Sequence, residues 1–269
     1  KLVTYAHGEE ILIARSSRQL SLMSRFAYAS SDLIIANSES TRKLLQQISP
    51  RARIEVVNPG VEASFFQVSD QEKQEQRQMW GFSESDVVLV SISRMEPRKN
   101  HARVLHAVAD LRKCGLPLAC VFASEGEEKQ NLQKLAWELG IQERVLFPGY
   151  LTDHERALSF AAADIHILPS IQLGSSIEGY GIVFLEAAAA GIPSIAGNVG
   201  GQPEAVKHDE TGYVVDGTDM EQIKSAISEL AQDPELRKKM GEAGKHWAGE
   251  NDWGMVADKI WKAVNHIIS

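Results

Sequence analysis

The chain has 269 residues, 43% hydrophobic and 24% charged, with a formal net charge of −8. That balance fits a globular protein of one large or two modest domains; the acidic charge excludes a sequence-independent nucleic-acid binder, and no apolar run approaches the roughly eighteen residues of a membrane span. Lys1 opens the chain without a signal-peptide pattern, and Cys114 and Cys120, which lack metal-ligand spacing, read as reduced, partly buried side chains of a cytosolic protein.

Taken in chain order, short apolar runs predict strands over 2–6, 33–36, 53–57, 87–92, 118–123, 145–147, 165–168, 194–196 and 213–215. Between them a 3.6-residue periodicity predicts helices that include 101–112, 129–139, 154–163 and 183–190. Uniformly apolar strands alternating with helices indicate the α/β class, a doubly wound parallel sheet covered on both faces. Gln, Glu and Lys dominate 69–77, which reads as a solvated linker helix between two blocks. The block over 81–250 carries enough strands for a whole Rossmann-like domain. Residues 1–80 carry three, with no opening strand–glycine turn–helix unit. They read as the second half of another such domain, so the chain is expected to be a fragment lacking its front end. Residues 251–269 are expected to form a helix packing back at the domain junction, with Trp247, Trp253 and Trp261 as packing anchors.

Chemistry concentrates in the run Glu178-Gly-Tyr-Gly-Ile-Val-Phe-Leu-Glu186, which continues into Ala187-Ala-Ala-Ala-Gly-Ile-Pro193. Glycines precede an apolar helix, with one carboxylate before its start and one inside it. A helix N-terminus offers unpaired N–H groups and partial positive charge to a phosphate, and each carboxylate can accept hydrogen bonds from sugar hydroxyls. The combination suits a nucleotide-sugar. Other candidate ligand loops follow strands, where a doubly wound sheet binds its ligands. The first is Ser93-Arg94-Met-Glu-Pro-Arg98-Lys99-Asn100, in which Arg94 and Lys99 can both reach a diphosphate while Arg98 reads as a solvated turn residue. Arg144-Val-Leu-Phe-Pro-Gly-Tyr150-Leu151 and Gly197-Asn-Val-Gly200-Gly201-Gln-Pro203-Glu204 are the others, the latter equally readable as a plain turn.

In this order and spacing, Arg94 and Lys99, Phe147-Pro-Gly-Tyr150, Ala163-Asp164, Glu178 through Glu186, Ala190-Gly-Ile-Pro193 and Gly200-Gly-x-Pro-Glu204 resemble the donor-binding domain of the retaining glycosyltransferases of family four. The resemblance implies the GT-B fold, two Rossmann-like domains, with the N-terminal, acceptor-side one only partly present. It implies that Arg94 and Lys99 neutralise the donor diphosphate, that Glu178 contacts the donor sugar, and that Glu186 holds the ribose diol. Backbone N–H groups of Gly181, Ile182 and Val183 would hold phosphate, with Tyr150 and Leu151 beside the base. Tyr5-Ala-His7-Gly8-Glu9-Glu10 is similar to the family's His-Gly motif. His7 alone reads as a structural histidine; within the ordered set it faces the transferred sugar. Ala36-Asn-Ser-Glu-Ser-Thr41 and Val57-Asn-Pro-Gly-Val61 match further stretches of that domain. The pattern departs at Ala123-Ser-Glu-Gly126, where the family often has Gly-Asp-Gly, and at Lys99-Asn100, where it has Lys-Gly.

No Asp-x-Asp occurs in the chain, so the expected reaction uses no cofactor and no metal. The leaving diphosphate is met by Arg94, Lys99 and the helix end. The resemblance implies retention by front-face attack, in which a donor phosphate oxygen takes the acceptor's proton; the paired-carboxylate scheme of glycoside hydrolysis is the weaker use of Glu178 and Glu186. The expected partners are a nucleotide-sugar donor, GDP-mannose or a UDP-sugar, and a glycan or lipid-linked acceptor as in bacterial mannosyltransferases. The expected location is the cytoplasm, with peripheral contact at the inner face of the membrane through the N-terminal domain. The competing readings are a non-catalytic nucleotide-sugar binding module, a nucleotide-sugar epimerase and a sugar phosphorylase. A dinucleotide-binding Rossmann reading lacks Gly-x-Gly-x-x-Gly, and Gly241-Glu-Ala-Gly244-Lys245 has the wrong spacing for a phosphate-binding P-loop.

Overall fold

Each expected strand is present, with its ends within two residues of the expectation. The computed structural model describes residues 1–14, 16–174 and 176–268. In chain order these form β1 (Val3–Ala6), α1 (Glu9–Ala14), α2 (Arg18–Ala29), β2 (Leu33–Ala36), α3 (Glu39–Ile48), β3 (Ile54–Val56) and α4 (Asp70–Met79). Then come β4 (Val87–Ile92), α5 (His101–Lys113), β5 (Leu118–Ala123), α6 (Lys129–Glu138), β6 (Val145–Gly149), α7 (Asp153–Ala162), β7 (Ile165–Leu168) and α8 (Ile182–Ala190). The remainder is β8 (Ser194–Gly197), α9 (Gln202–Ala205), β9 (Gly212–Val215), α10 (Met220–Gln232), α11 (Pro234–Glu250) and α12 (Trp253–Ile268). Among the described residues no helix is long and apolar enough to cross a membrane.

The first sheet has the order β1-β2-β3 and the second β6-β5-β4-β7-β8-β9, with every pairing parallel. β4 shows why its sequence opens on four consecutive apolar residues, Val87-Val-Leu-Val90. Successive side chains point to opposite faces, so Val87 and Leu89 enter one core with Leu105, Phe122 and Ile227. Val88 and Val90 enter the other with Phe160, Phe184 and Leu185. Both faces are covered, so neither set of residues can be polar. The strand order reverses between β4 and β7, which are hydrogen-bonded neighbours though far apart in sequence.

α8 lies in the second of these cores, and its sequence is apolar around most of its circumference. α11 packs against it through small residues: a Cβ on Gly244 would come 3.3 Å from Ala188 Cα, and one on Gly241 would collide with the Gly191 carbonyl. The Gly-x-x-Gly spacing in α11 therefore serves close helix packing.

The segment expected to be a solvated linker helix is α4, opened by a capping box in which Ser69 and Glu72 exchange hydrogen bonds. It is not fully solvated. Arg77 reaches from it into the six-stranded sheet, where its guanidinium donates to the Ala162 carbonyl at 3.0 Å, the Asp86 carbonyl at 2.5 Å and Asp164 at 3.0 Å. Asp164 also accepts from the β4 amide of Val88 at 2.8 Å.

After α11 the chain crosses to the first sheet. Val61 N–H donates to Asn251 O at 3.0 Å and Trp253 N–H to Val61 O at 3.3 Å. α12 then lays Val256, Ile260, Val264 and Ile267 against Leu33, Ile35 and Val57. Of the tryptophans expected to be anchors, Trp247 is one: its indole N–H donates to Ala205 O at 3.1 Å and Lys207 sits 4.3 Å from its ring. Trp261 is not, at 63% exposed, because the apolar stripe of α12 runs through its neighbours at helical spacing and leaves position 261 on the outer face. Trp253 is also half exposed, over Gly60. The cysteines differ too: Cys120 is fully buried in β5, where burial pushes its thiol up to about 12, whereas Cys114 is exposed at the end of α5.

Asp164 joins α4 and β4 through one carboxylate, so Asp164→Ala leaves the half-buried Arg77 without its counter-charge. The loss expected is about 2 kcal/mol, read as a lower urea midpoint; a shift under about 0.5 kcal/mol, within the range of neutral surface changes, is the contrary result.

Candidate functional site

The carboxyl ends of β4 and β7 adjoin at the point where strand order reverses, and the loops that leave them meet there. From β4 comes a short 3₁₀ turn, Pro97–Lys99, closed by Asn100 in the left-handed conformation, φ 66°. Asn tolerates that backbone better than most residues, which accounts for the departure from Lys-Gly. Its side-chain amide donates to the Pro169 carbonyl at 3.0 Å and the Gly217 carbonyl at 2.7 Å, bolting the loops after β4, β7 and β9 together.

This turn rolls Arg98 and Lys99 inward. Both donate to one oxygen of Glu178, Arg98 at 2.9 Å and Lys99 through a short hydrogen bond. The Arg98 side chain is only 7% exposed, which overturns its reading as a solvated turn residue. The reason is charge balance: a carboxylate as buried as Glu178 needs cations, and the turn supplies two. Burial pushes the Glu178 carboxyl up, but Lys99 and Arg98 outweigh it and hold it below the ordinary glutamate range. Burial draws the Lys99 ammonium down, with Arg98 adding to the effect and Glu178 opposing it. Arg94 lies elsewhere. Its side chain is 60% exposed and pairs with Glu96 at 2.8 Å, at the rim of a separate depression.

Glu178 leads into α8 through Gly179, Tyr180 and Gly181. Gly181 has φ 91°, and the first N–H groups of α8 beyond it, those of Ile182 and Val183, lack intrahelical partners by helix geometry. Glu186, one turn on, is held by Arg156 of α7 at 3.4 Å. Burial raises its carboxyl above the usual range, against the pull of Arg156.

A cavity of about 660 Å³ collects these groups: Glu178, Gly181, Ile182, Val183 and Glu186 on one side, His7 and Asn37 on the other. Lys99 stands behind Glu178. Tyr150 and Leu151 leave the carboxyl end of β6 outside this cavity, and Tyr150 is 76% exposed. Tyr180, Asn37 and Trp253 also line the cavity and were not singled out from the sequence. Tyr180 had a signal, since it lies inside the Glu-x7-Glu run. Asn37 lay in the family-like stretch Ala36–Thr41 without a role of its own, and Trp253 was read as a packing anchor; nothing in the sequence brings these two distant segments to one cavity.

The two sides approach closely. A Cβ on Gly179 would lie 2.5 Å from the His7 carbonyl oxygen and 3.1 Å from Asn37 Nδ2. The His7 amide donates to Glu10 at 2.9 Å and its carbonyl accepts from the Thr41 hydroxyl at 3.3 Å, so the turn is fixed on both sides. Beneath the site lie two fully buried histidines. His101 Nε2 is 3.1 Å from Ser91 Oγ, and His166 Nδ1 is 3.1 Å from Ser194 Oγ. Burial, with Lys99 adding to it, holds both down to about 3.

A family model described as Glycosyl transferases group 1 matches residues 72–247. A relative from Mycolicibacterium smegmatis, a GDP-mannose-dependent alpha-(1-6)-phosphatidylinositol monomannoside mannosyltransferase, is 33% identical over 254 residues, covering 93% of this chain and 66% of the relative. The Mycobacterium tuberculosis protein of the same description is 32% identical, covering 97% of this chain and 68% of the relative. This chain thus spans about two thirds of their length. Among solved structures, Anabaena HepE in complex with UDP superposes with a TM-score of 0.87 at 22% identity, covering 98% of this chain and 72% of HepE. The likeness to HepE is one of fold, and the arrangement of parallel sheets is GT-B.

The buried histidines set a pH dependence of stability. Their folded values lie below the ordinary 6.5, so between pH 6.5 and 3 the unfolded chain binds protons that the folded one refuses, and stability falls on acidification. From pH 7.5 to 5 the loss amounts to up to about 2 kcal/mol per histidine. Glu178, with its depressed value, contributes only at lower pH, within and below the carboxylate range. Urea unfolding across this window should show a shallower slope in His166→Gln than in the wild type; equal slopes would exclude the assignment.

Proposed function

This chain belongs to the group 1 glycosyl transferases, and from that premise we propose that it moves a hexose from a nucleoside-diphosphate sugar to a hydroxyl of a glycan or lipid-linked acceptor, with retention and without a metal. The observation that carries the reading is the buried Lys99–Glu178 pair standing beside the N-terminus of α8, with Glu186 one turn further on. In this reading Lys99 and the N–H groups of Gly181, Ile182 and Val183 take the negative charge that grows on the departing diphosphate. The N–H groups already line the cavity before the reaction, and a donor group preorganised in this way stabilises developing charge without reorganising. Glu178, kept ionised by its two cations, accepts from the sugar hydroxyls, and Glu186 accepts from the ribose diol. His7 faces the transferred sugar from the other wall. Arg94 completes the phosphate contacts by swinging from Glu96, and Tyr150 and Leu151 flank the base. The proton of the attacking hydroxyl passes to a donor phosphate oxygen, so neither glutamate acts as nucleophile.

GDP-mannose and UDP-sugars are the donor candidates, from the mannosyltransferases and the UDP complex to which the chain is similar. The relatives' lipid acceptor extends the reading to a protein working in the cytoplasm, in peripheral contact with a membrane.

Lys99→Ala and Glu178→Ala should each reduce transfer by roughly 10²–10³-fold, measured by product formation with the donor selected in a thermal-shift panel. A donor at a hundred times its Kd adds about 2.7 kcal/mol to stability, so the same panel reports binding. Near-wild-type turnover in either variant defeats the assignment. Donor stabilisation without transfer or hydrolysis in the wild type favours a binding module instead.

A further inference from the structure

The geometry points to Glu204 as a positioning residue that holds the two walls of the cavity in register, an inference that rests on the proposed glycosyl transfer. Glu204 lies on α9, a short helix of the six-stranded block, yet its carboxylate is used on the other block. One oxygen accepts from the amide of Glu39 at 2.8 Å and the other from the amide of Ser40 at 3.2 Å. These are the first two N–H groups of α3, left without intrahelical partners by helix geometry. The third, of Thr41, is taken by the side chain of Ser38 at 3.0 Å. The end of α3 is therefore capped jointly by its own serine and by a carboxylate from across the cleft, which the helix dipole favours as well. Asn58 adds a donor to Glu204 at 3.3 Å while its amide also reaches the Asn37 carbonyl at 3.1 Å.

Both ends of this strut lead to the site. On one side, the Gly200-Gly201 turn that opens α9 lies directly under the loop of Glu178. Gly201 N–H donates to the Glu178 carbonyl at 3.2 Å, and a Cβ at either glycine would collide with the carbonyl of Glu178 or Gly179. On the other side, the first turn of α3 carries Thr41, whose hydroxyl holds the His7 carbonyl at 3.3 Å and Asn37 Oδ1 at 2.7 Å. The circuit closes where His7 O meets Gly179, 2.5 Å from the position a Cβ would take. Glu178, Gly201, Glu204, α3, Thr41 and His7 thus form a closed circuit of contacts that includes Glu178 and His7 from the two walls of the cavity. Glu204 is the charged member that spans the cleft. Loss of its second acceptor oxygen turns an attraction into a clash, because an amide nitrogen would face N–H donors.

The test compares the wild type with Glu204→Gln in the intact protein, and uses Asp219→Asn as a control. Asp219 caps α10 through the amides of Glu221 and Gln222 at 2.9 and 3.2 Å, a cap made wholly within the six-stranded block, so it reports what loss of a comparable cap does by itself. For Glu204→Gln we expect kcat to fall by about tenfold or more while the Kd for the free nucleoside diphosphate changes by less than about twofold, because the groups proposed to hold the diphosphate and ribose all lie on one wall, whereas His7, which faces the sugar, lies on the other. Amide hydrogen exchange at Glu39 and Ser40 should accelerate by about tenfold or more. Asp219→Asn should leave kcat unchanged. An unchanged kcat in Glu204→Gln, a Kd that weakens in step with kcat, or an equal loss in Asp219→Asn overturns the positioning role. If the wild type transfers no sugar from any donor, the functional reading falls and takes the catalytic arm with it. Unaltered exchange at Glu39 and Ser40 overturns the contact whatever the reaction.

Discussion

Glu178 must be both buried and ionised, and that requirement organises the rest of the site. A carboxylate taken out of water costs several kcal/mol unless cations and hydrogen-bond donors meet it. Here Lys99 and Arg98 do so, and each is itself buried, so the three groups are stable only together. They come from loops about eighty residues apart in sequence that become neighbours because β4 and β7 pair in the sheet. The strand order thus does chemical work: it creates the crevice and brings opposite charges into it. Asn100 fixes the geometry by tying the same turn to the loops after β7 and β9.

α8 answers a second requirement, that the helix end lining the cavity be held firmly. Its apolar sequence buries it on most sides, and its alanines let α11 approach through Gly241 and Gly244. The N-terminus then presents its N–H groups at one wall of the cavity, and Glu186 projects from the next turn. The opposite wall belongs to the first sheet. His7 and Asn37 sit at the carboxyl ends of β1 and β2, the same edge that the six-stranded sheet uses, so the two sheets face each other with their ligand-binding edges.

Much of this was legible beforehand. Val87–Ile92 could be read as a central strand because both of its faces are buried and both are apolar. Lys99, Glu178, Gly181 and Glu186 were recognisable because their chemistry is tied to a helix start and a strand end, features that short sequence patterns carry. The inward turn of Arg98 was not. Two arginines four apart on one loop look alike in sequence, and the roll of a single 3₁₀ turn decides which one faces inward. Trp261 failed for a similar reason: the buried stripe of α12 depends on which residues meet Leu33 and Ile35, and the tryptophan falls on the outer face. Glu204 read as part of a turn because its partners, Glu39 and Ser40, lie some 165 positions away.

By itself, then, the sequence determined the alternation of strands and helices, the doubly wound class and the run of residues that forms one wall of the cavity. These follow from hydrophobic periodicity, glycine placement and charge, all of which act over a few residues. Tertiary structure alone decided which cations neutralise Glu178, which residues line the opposite wall, and that a glutamate from one block caps a helix of the other. Those outcomes depend on desolvation and on contacts between distant segments, and neither exists until the sheets have formed and the cleft has closed around them.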